Sequence, residues 1–353
     1  MPLSLSAPPF GAAYKGATLQ ILEHAREAAG LTYKPSVFNP GTLTSKGPIR
    51  IAKNRVLPRH LHDEPGFNMY YELHGTGPNR IAFIMGLSNS CASWLDQVEE
   101  FGSDPACSVL VLDNRGFGNT EAPMQRYTTS DMALDVFEVM DHIGWKGDRS
   151  VNLIGVSMGG MIALEMARQE PSRLASLMLL STSAGEGGNL PPLSGLMAIS
   201  KGIGESIVGI ARVEARVNRV VDVLFPKTWQ KQKHPLDPAG RTNGEVMRDI
   251  FRWRHYFSLH PTLHGPMSQM AACLTHHVPE SALKTIQDNV PKVSVMTGDW
   301  DNLVAERHSH YMSRVMDKAQ FREWHGAGHA IHLQFPDKFN AHVRQFLNLA
   351  PNP

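Results

Sequence analysis

The chain is poor in cysteine and in net charge, and each shortage narrows what it can be. Cys91, Cys107 and Cys273 are widely spaced among 353 residues, with no C-x-x-C pair. That pattern argues against a disulfide framework, reads as buried free thiols and predicts a reducing, cytoplasmic setting. A net charge of +1 offers nothing to grip nucleic acid or an anionic membrane surface. No apolar run reaches membrane-spanning length, so no transmembrane segment is expected. The N-terminus lacks the charged-then-apolar layout of a signal peptide, and Pro351-Asn352-Pro353 matches no targeting tail. An N-x-S/T sequon, an internal repeat and a low-complexity tract are missing too. What is left is a globular composition, 42% hydrophobic and 19% charged, long enough for one large domain with an insertion or for two domains.

Five residues, Gly155-Val156-Ser157-Met158-Gly159, carry most of the chemistry. They follow a short apolar run from Val151 that reads as a buried strand, and they open a helix expected over Met158 to Gln169, before Pro171. So sharp a strand-to-helix turn strains its middle residue and lifts that side chain above the sheet. Crowding leaves no room for side chains two residues to either side, hence Gly155 and Gly159. Ser157 is thereby the candidate nucleophile, at a helix N-terminus where N–H groups face developing negative charge. A second apolar run, Leu174 to Leu180, completes a βαβ unit and predicts a parallel sheet.

Residues 1–46 read as an N-terminal extension with one amphipathic set, Leu19, Leu22, Ala25 and Ala29, and a Pro- and Gly-rich strap from Pro35 to Gly47. Strands are expected over 68–73 and 80–84, joined as a hairpin by Gly75-Thr76-Gly77-Pro78, then at 108–112, 292–297 and 319–324. Helices are expected over 130–143 and 337–349. The alternation assigns 47–186 and 288–353 to an α/β core, a mostly parallel sheet flanked by helices. The interval 187–287 breaks it with two helical stripes, one through Ile203, Ile207, Ile210, Val217, Val221 and Leu224, the other through Val246, Ile250, Trp253 and Phe257. It reads as an inserted helical cap. Its twelve Lys/Arg against seven Asp/Glu read as solvated helix faces.

A serine hydroxyl needs a base to take its proton and an acid to orient that base. His329, in Gly326-Ala327-Gly328-His329 after the strand ending at Trp324, is the candidate base. The acid lies in Gly298-Asp299-Trp300-Asp301, after the strand ending at Thr297. Nucleophile, acid and base then follow in the order of a nucleophile elbow on an α/β sheet. The oxyanion hole needs two N–H groups. Met158 supplies one, and Leu87, in the turn permitted by Gly86 after the strand 80–84, is assigned the other. Ser88, Trp253, Phe257, Met267 and Met270 are the candidate substrate-lining residues. The pairs His60/His62 and His276-His277 lack a third ligand at metal spacing, so no metal or other cofactor is expected. His332 and Trp94 read as packing residues.

Taken together, these segments resemble the α/β-hydrolase superfamily, in particular its cap-bearing branch of enol-lactonase-like and esterase-like members. The matching pieces are Ile84-Met85-Gly86-Leu87, Asp113-Asn114-Arg115-Gly116-Phe117-Gly118, Gly155 to Gly160, Gly298 to Asp301 and Gly328-His329, in family order across roughly residues 65 to 350. The resemblance favours Asp301 over Asp299 as the acid and makes Asp113 structural. Met85 departs from the family, which commonly has His before the oxyanion glycine. A Ser at 157, where related dehalogenases and epoxide hydrolases carry Asp, implies acyl-enzyme chemistry. The expectation is a serine hydrolase of an ester, lactone or similar acyl bond in a small, largely apolar substrate. The alternatives are C–C cleavage or acyl transfer with the same triad, or a non-catalytic small-molecule receptor. The sequence sets no oligomeric state.

Overall fold

The structure is a computed structural model that describes residues 36–56, 64–197, 213–237, 239–257 and 263–350, with only the backbone given for 253 and 255–257. Eight strands form one sheet: β1 (Leu43–Ile51), β2 (Phe67–His74), β3 (Asn79–Ile84), β4 (Cys107–Leu112), β5 (Val151–Val156), β6 (Leu174–Leu180), β7 (Val293–Gly298) and β8 (Gln320–Trp324). Their spatial order is β1-β2-β4-β3-β5-β6-β7-β8. The β1/β2 and β2/β4 pairs are antiparallel, and every pair from β4 onward is parallel.

Side chains alternate across the sheet and sort its core into two layers. Ala82, Ile84, Leu110, Leu112, Leu153, Leu177 and Leu179 face one side. There they meet α2 (Thr129–His142), α3 (Met158–Gln169), α8 (Glu280–Asn289) and α9 (Arg307–Val315). Ile81, Phe83, Val109, Val111, Ile154, Met178 and Leu180 face the other, against α1 (Leu95–Gly102) and α10 (Pro336–Leu347), whose Phe101, Phe339 and Val343 are buried. With both faces covered, the strands are continuous apolar runs, which is why they were legible. The fold is the mostly parallel, helix-flanked α/β arrangement that the sequence predicts.

Two parts of the sheet differ from expectation. The β2–β3 hairpin does not form, because β4 lies between those strands. The backbone of Ala106 and Cys107 leads into β4 and sits against the Gly75–Pro78 turn. Gly77 N–H and Asn79 N–H donate to Cys107 and Ala106 carbonyls at 2.9 and 3.0 Å. A Cβ on Gly77 would fall 2.1 Å from Ala106 carbon, so the turn wraps over β4 and carries the chain across it. The strap is the second difference. From Leu43 it is strand β1, paired along β2, so the expected boundary at 46 falls inside a strand. Residues 1–35 of the expected extension lie outside the described residues.

Between β6 and β7 lie α4 (Val213–Leu224), α5 (Lys227–Gln230), α6 (Asn243–Phe257) and α7 (His264–Thr275). The stripe members Ile203, Ile207 and Ile210 fall outside the described residues. Val221, Phe225, Trp229, Val246 and Met247 make a separate cluster that closes on Ala330 and Leu333. Helix α8, partly assigned to the cap by sequence, instead buries Leu283 and Ile286 in the main core. No helix among the described residues is long and apolar enough to cross a membrane.

Candidate active site

Strand β5 ends at Val156 and α3 begins at Met158, leaving Ser157 alone at the turn with φ +57° and ψ −123°. A non-glycine residue there is strained by one to a few kcal/mol, on the order of the usual cost of such outliers. The surroundings hold it in place. Ser157 N–H donates to Leu180 O at 2.9 Å, and Thr182 Oγ1 donates to Ser157 O at 2.7 Å. A Cβ on Gly155 would sit 2.3 Å from Gly159 O, and one on Gly159 would sit 2.1 Å from Ile84 O. Those glycines are close-approach residues, and the turn collapses onto β3 because they carry no side chain.

The sheet order reverses at β3, which lies between β4 and β5, so the carboxyl ends of β3 and β5 flank a topological switch point. The loop after β3 lies against the serine there. A Cβ built on Gly86 would be 3.1 Å from Ser157 Cβ and 3.6 Å from its Oγ. Leu87 follows, half-buried against the core, and Met158 opens α3. The first N–H groups of a helix have no acceptor within it, so Met158 N–H points out of α3 beside the serine.

On the far side of β6, the loops after β7 and β8 are laced together. Trp300 N–H donates to Ala327 O at 2.9 Å, and a Cβ on Gly298 would meet the same oxygen at 2.2 Å. His329 Nδ1 lies 2.8 and 2.9 Å from the two Asp301 carboxylate oxygens, and both residues are about 5% exposed. Asp301 Oδ1 also accepts Leu303 N–H and Val304 N–H at 2.8 Å each. The acid therefore has a fixed orientation, and the imidazole presents Nε2 away from it. Asp299 instead reaches exposed His325 at 3.1 Å. Gln334, which the sequence did not single out, accepts Gly328 N–H at 2.8 Å and donates to Gly326 O at 2.7 Å.

Asp113 is buried, its carboxylate taken by Cys91 N–H at 2.7 Å and Asn119 N–H at 2.8 Å. Burial pushes its pKa up to about 6. These partners make it a loop anchor. His332 packs on Trp94 with ring centroids 4.4 Å apart, and burial holds its pKa well below the usual imidazole value, with Arg254 and His329 adding to the effect. Of the substrate-lining candidates, Ser88 adopts φ +51° in the loop after β3 and Met270 is half-buried on α7. Met267 is 49% exposed on the face of α7 opposite its buried stripe Gly265, Gln269 and Ala272, so its side chain faces solvent. Trp253 and Phe257 lie on α6, but their side chains fall outside the described residues, as do His60 and His62.

The model of the alpha/beta hydrolase fold family matches residues 79–198, the stretch from β3 through the serine turn to beyond β6. The chain has the α/β-hydrolase fold. An enol-lactonase from Burkholderia xenovorans superposes with a TM-score of 0.64 at 19% identity, covering 80% of this chain and 97% of that one. A thermophilic esterase from Thermogutta terrifontis gives 0.63 at 21% identity, covering 86% and 98%. By sequence, RutD of Caulobacter vibrioides, a proposed carbamate hydrolase, is 23% identical across 79% of this chain and 95% of its own length. RutD of Variovorax paradoxus is 31% identical over 115 residues, a match that takes in 32% of this chain and 42% of that protein. As a group these α/β-hydrolase relatives support a hydrolytic enzyme.

Proposed function

We propose that this protein is a serine hydrolase that cleaves an ester, lactone or related acyl bond of a small, largely apolar substrate through an acyl-enzyme. One observation carries the reading: a serine held at φ +57° on the β5–α3 turn, on the same sheet edge as a buried aspartate–histidine pair. The α/β-hydrolase fold and the hydrolases among its relatives support a hydrolytic reaction.

In this mechanism Ser157 Oγ attacks the substrate carbonyl while His329 Nε2 takes its proton. Asp301 holds the Nδ1 proton and so sets the tautomer, and its charge favours the imidazolium that forms. The carbonyl oxygen, now an oxyanion, accepts hydrogen bonds from Leu87 N–H and Met158 N–H. Collapse expels the alcohol, which leaves with the proton from His329, and water attacks the acyl-enzyme by the same relay.

The test is Ser157→Ala against wild type, with a panel of aryl esters and lactones and a fluorophosphonate probe. Turnover and covalent labelling by wild type, both abolished in the folded variant, are the expected result. A wild-type protein that neither labels nor turns over any member of the panel overturns the proposal. Adding an alcohol or amine acceptor to the same assay separates hydrolysis from acyl transfer.

A further inference from the structure

An oxyanion hole works because its donors are aimed before the charge appears. A single backbone N–H in a loop keeps its aim only if the peptides on either side cannot turn. Here both neighbours of the Gly86–Leu87 peptide are pinned by buried carboxamides. On one side Asn114 Nδ2 donates to Met85 O at 2.7 Å. On the other, Gln269 Oε1 accepts Ser88 N–H at 2.9 Å. The Gln269 amide is used at both ends, since its Nε2 donates to Arg115 O at 2.8 Å. An N–H can only donate and a carbonyl can only accept, so these partners fix which way the amide points.

Gln269 is itself immobile. It is 0% exposed, on the buried stripe of α7. That helix starts against the loop carrying Arg115: a Cβ on Gly265 would fall 2.1 Å from Gly116 O. The loop is anchored in turn by Arg115, whose guanidinium makes two 2.6 Å contacts with buried Asp135. The clamp thus runs from Asp135 through Arg115 and Gln269 to Ser88, one residue beyond the assigned donor.

We infer that Gln269 is a positioning residue for the oxyanion hole, reaching from the segment between β6 and β7 to hold Ser88 and thereby aim Leu87 N–H. The inference rests on the serine-hydrolase reading above. It separates from a plain packing role, because a packing residue affects stability, whereas an aiming residue affects the transition state more than the bound substrate.

The experiment compares wild type with Gln269→Leu and the unbranched, similarly long Gln269→Met. With an aryl ester, kcat is expected to fall about 10- to 100-fold while KM stays within about threefold, a part of the full loss of an oxyanion donor. A trifluoromethyl ketone, which forms the tetrahedral adduct, should bind more weakly by the same factor as kcat/KM falls. Mass-detected hydrogen exchange across residues 85–90 should quicken in both variants. A kcat within about twofold of wild type in either folded variant overturns the inference, even where thermal stability drops. If wild type shows no turnover at all, the hydrolase reading has failed; unchanged exchange at 85–90 then rejects the pin, and faster exchange supports it.

Discussion

Two buried glutamines perform comparable tasks on opposite sides of Ser157, and they differ in how far along the chain they reach. Gln334 staples the loop that carries His329, accepting from Gly328 and donating to Gly326, six and eight residues away. Gln269 bonds Ser88 and Arg115, 181 and 154 residues away. The base side is held largely by its own neighbourhood: Asp301 meets His329 with both oxygens, and the loops after β7 and β8 share backbone hydrogen bonds. The oxyanion side is built from four separate stretches, namely the loops after β3, β4 and β5 and helix α7. Orientation that is over-determined tolerates the loss of one contact. Orientation that depends on a few distant contacts does not.

The largest effect expected comes from Asp301 itself, the group that the other contacts on the base side serve to orient. Asp301→Asn should lower kcat by about a thousandfold or more, because the amide favours the wrong imidazole tautomer. Steady-state kinetics on a protein with an unchanged near-UV circular dichroism spectrum checks it. A loss below tenfold would move the acid elsewhere. Gln334→Leu sharpens the contrast with Gln269. It strands Gly328 N–H and Gly326 O, so stability should fall by about 1–3 kcal/mol in urea unfolding. Its kcat should stay within about threefold, since Asp301 still aims the ring. A large kcat loss there would erase the distinction between the two sides.

The effect furthest from the serine concerns how α7 is anchored at its far end. His276 follows α7, is 4% exposed, and its Nδ1 meets Thr129 Oγ1 at 2.8 Å. Burial lowers its pKa to about 3, against 6.5 unfolded. A folded pKa below the unfolded one means the unfolded chain takes the proton first. The stability that neutral His276 contributes is whole above pH 6.5 and drains away as pH falls towards 3. Relative to His276→Gln, wild type should lose up to about 1.4 kcal/mol per pH unit below 6.5. The comparison must be between variants, because half-buried Asp96 and buried Asp113, raised to about 6, bind protons in the folded state and oppose the trend. Equal pH slopes in the two proteins would contradict the assignment.

Much of this molecule was legible because its cues are local. The strand at 174–180 and the helix at 158–169 were read from runs and breakers and match residue for residue. The serine turn, Asp301 and His329 were found from short motifs at strand ends. Asn114 and Gln269 were missed. The signal for Gln269 was present, a lone carboxamide in the i, i+4, i+7 stripe Gly265, Gln269, Ala272 of an otherwise small-residue face. Nothing along the chain names its partner, however. Met267 shows a related limit: helical periodicity gives a stripe but not which stripe turns inward.

By itself the sequence determined a two-sided α/β sheet, a strained serine at its edge, and the proposed acid and base on later loops. Periodicity and turn chemistry are properties of neighbouring residues, so those features needed no third dimension. Tertiary structure alone decided that β4 separates β2 from β3, and that Gln269 meets Ser88. Such contacts depend on where distant backbones come to rest, and that is set by burial of both sheet faces at once.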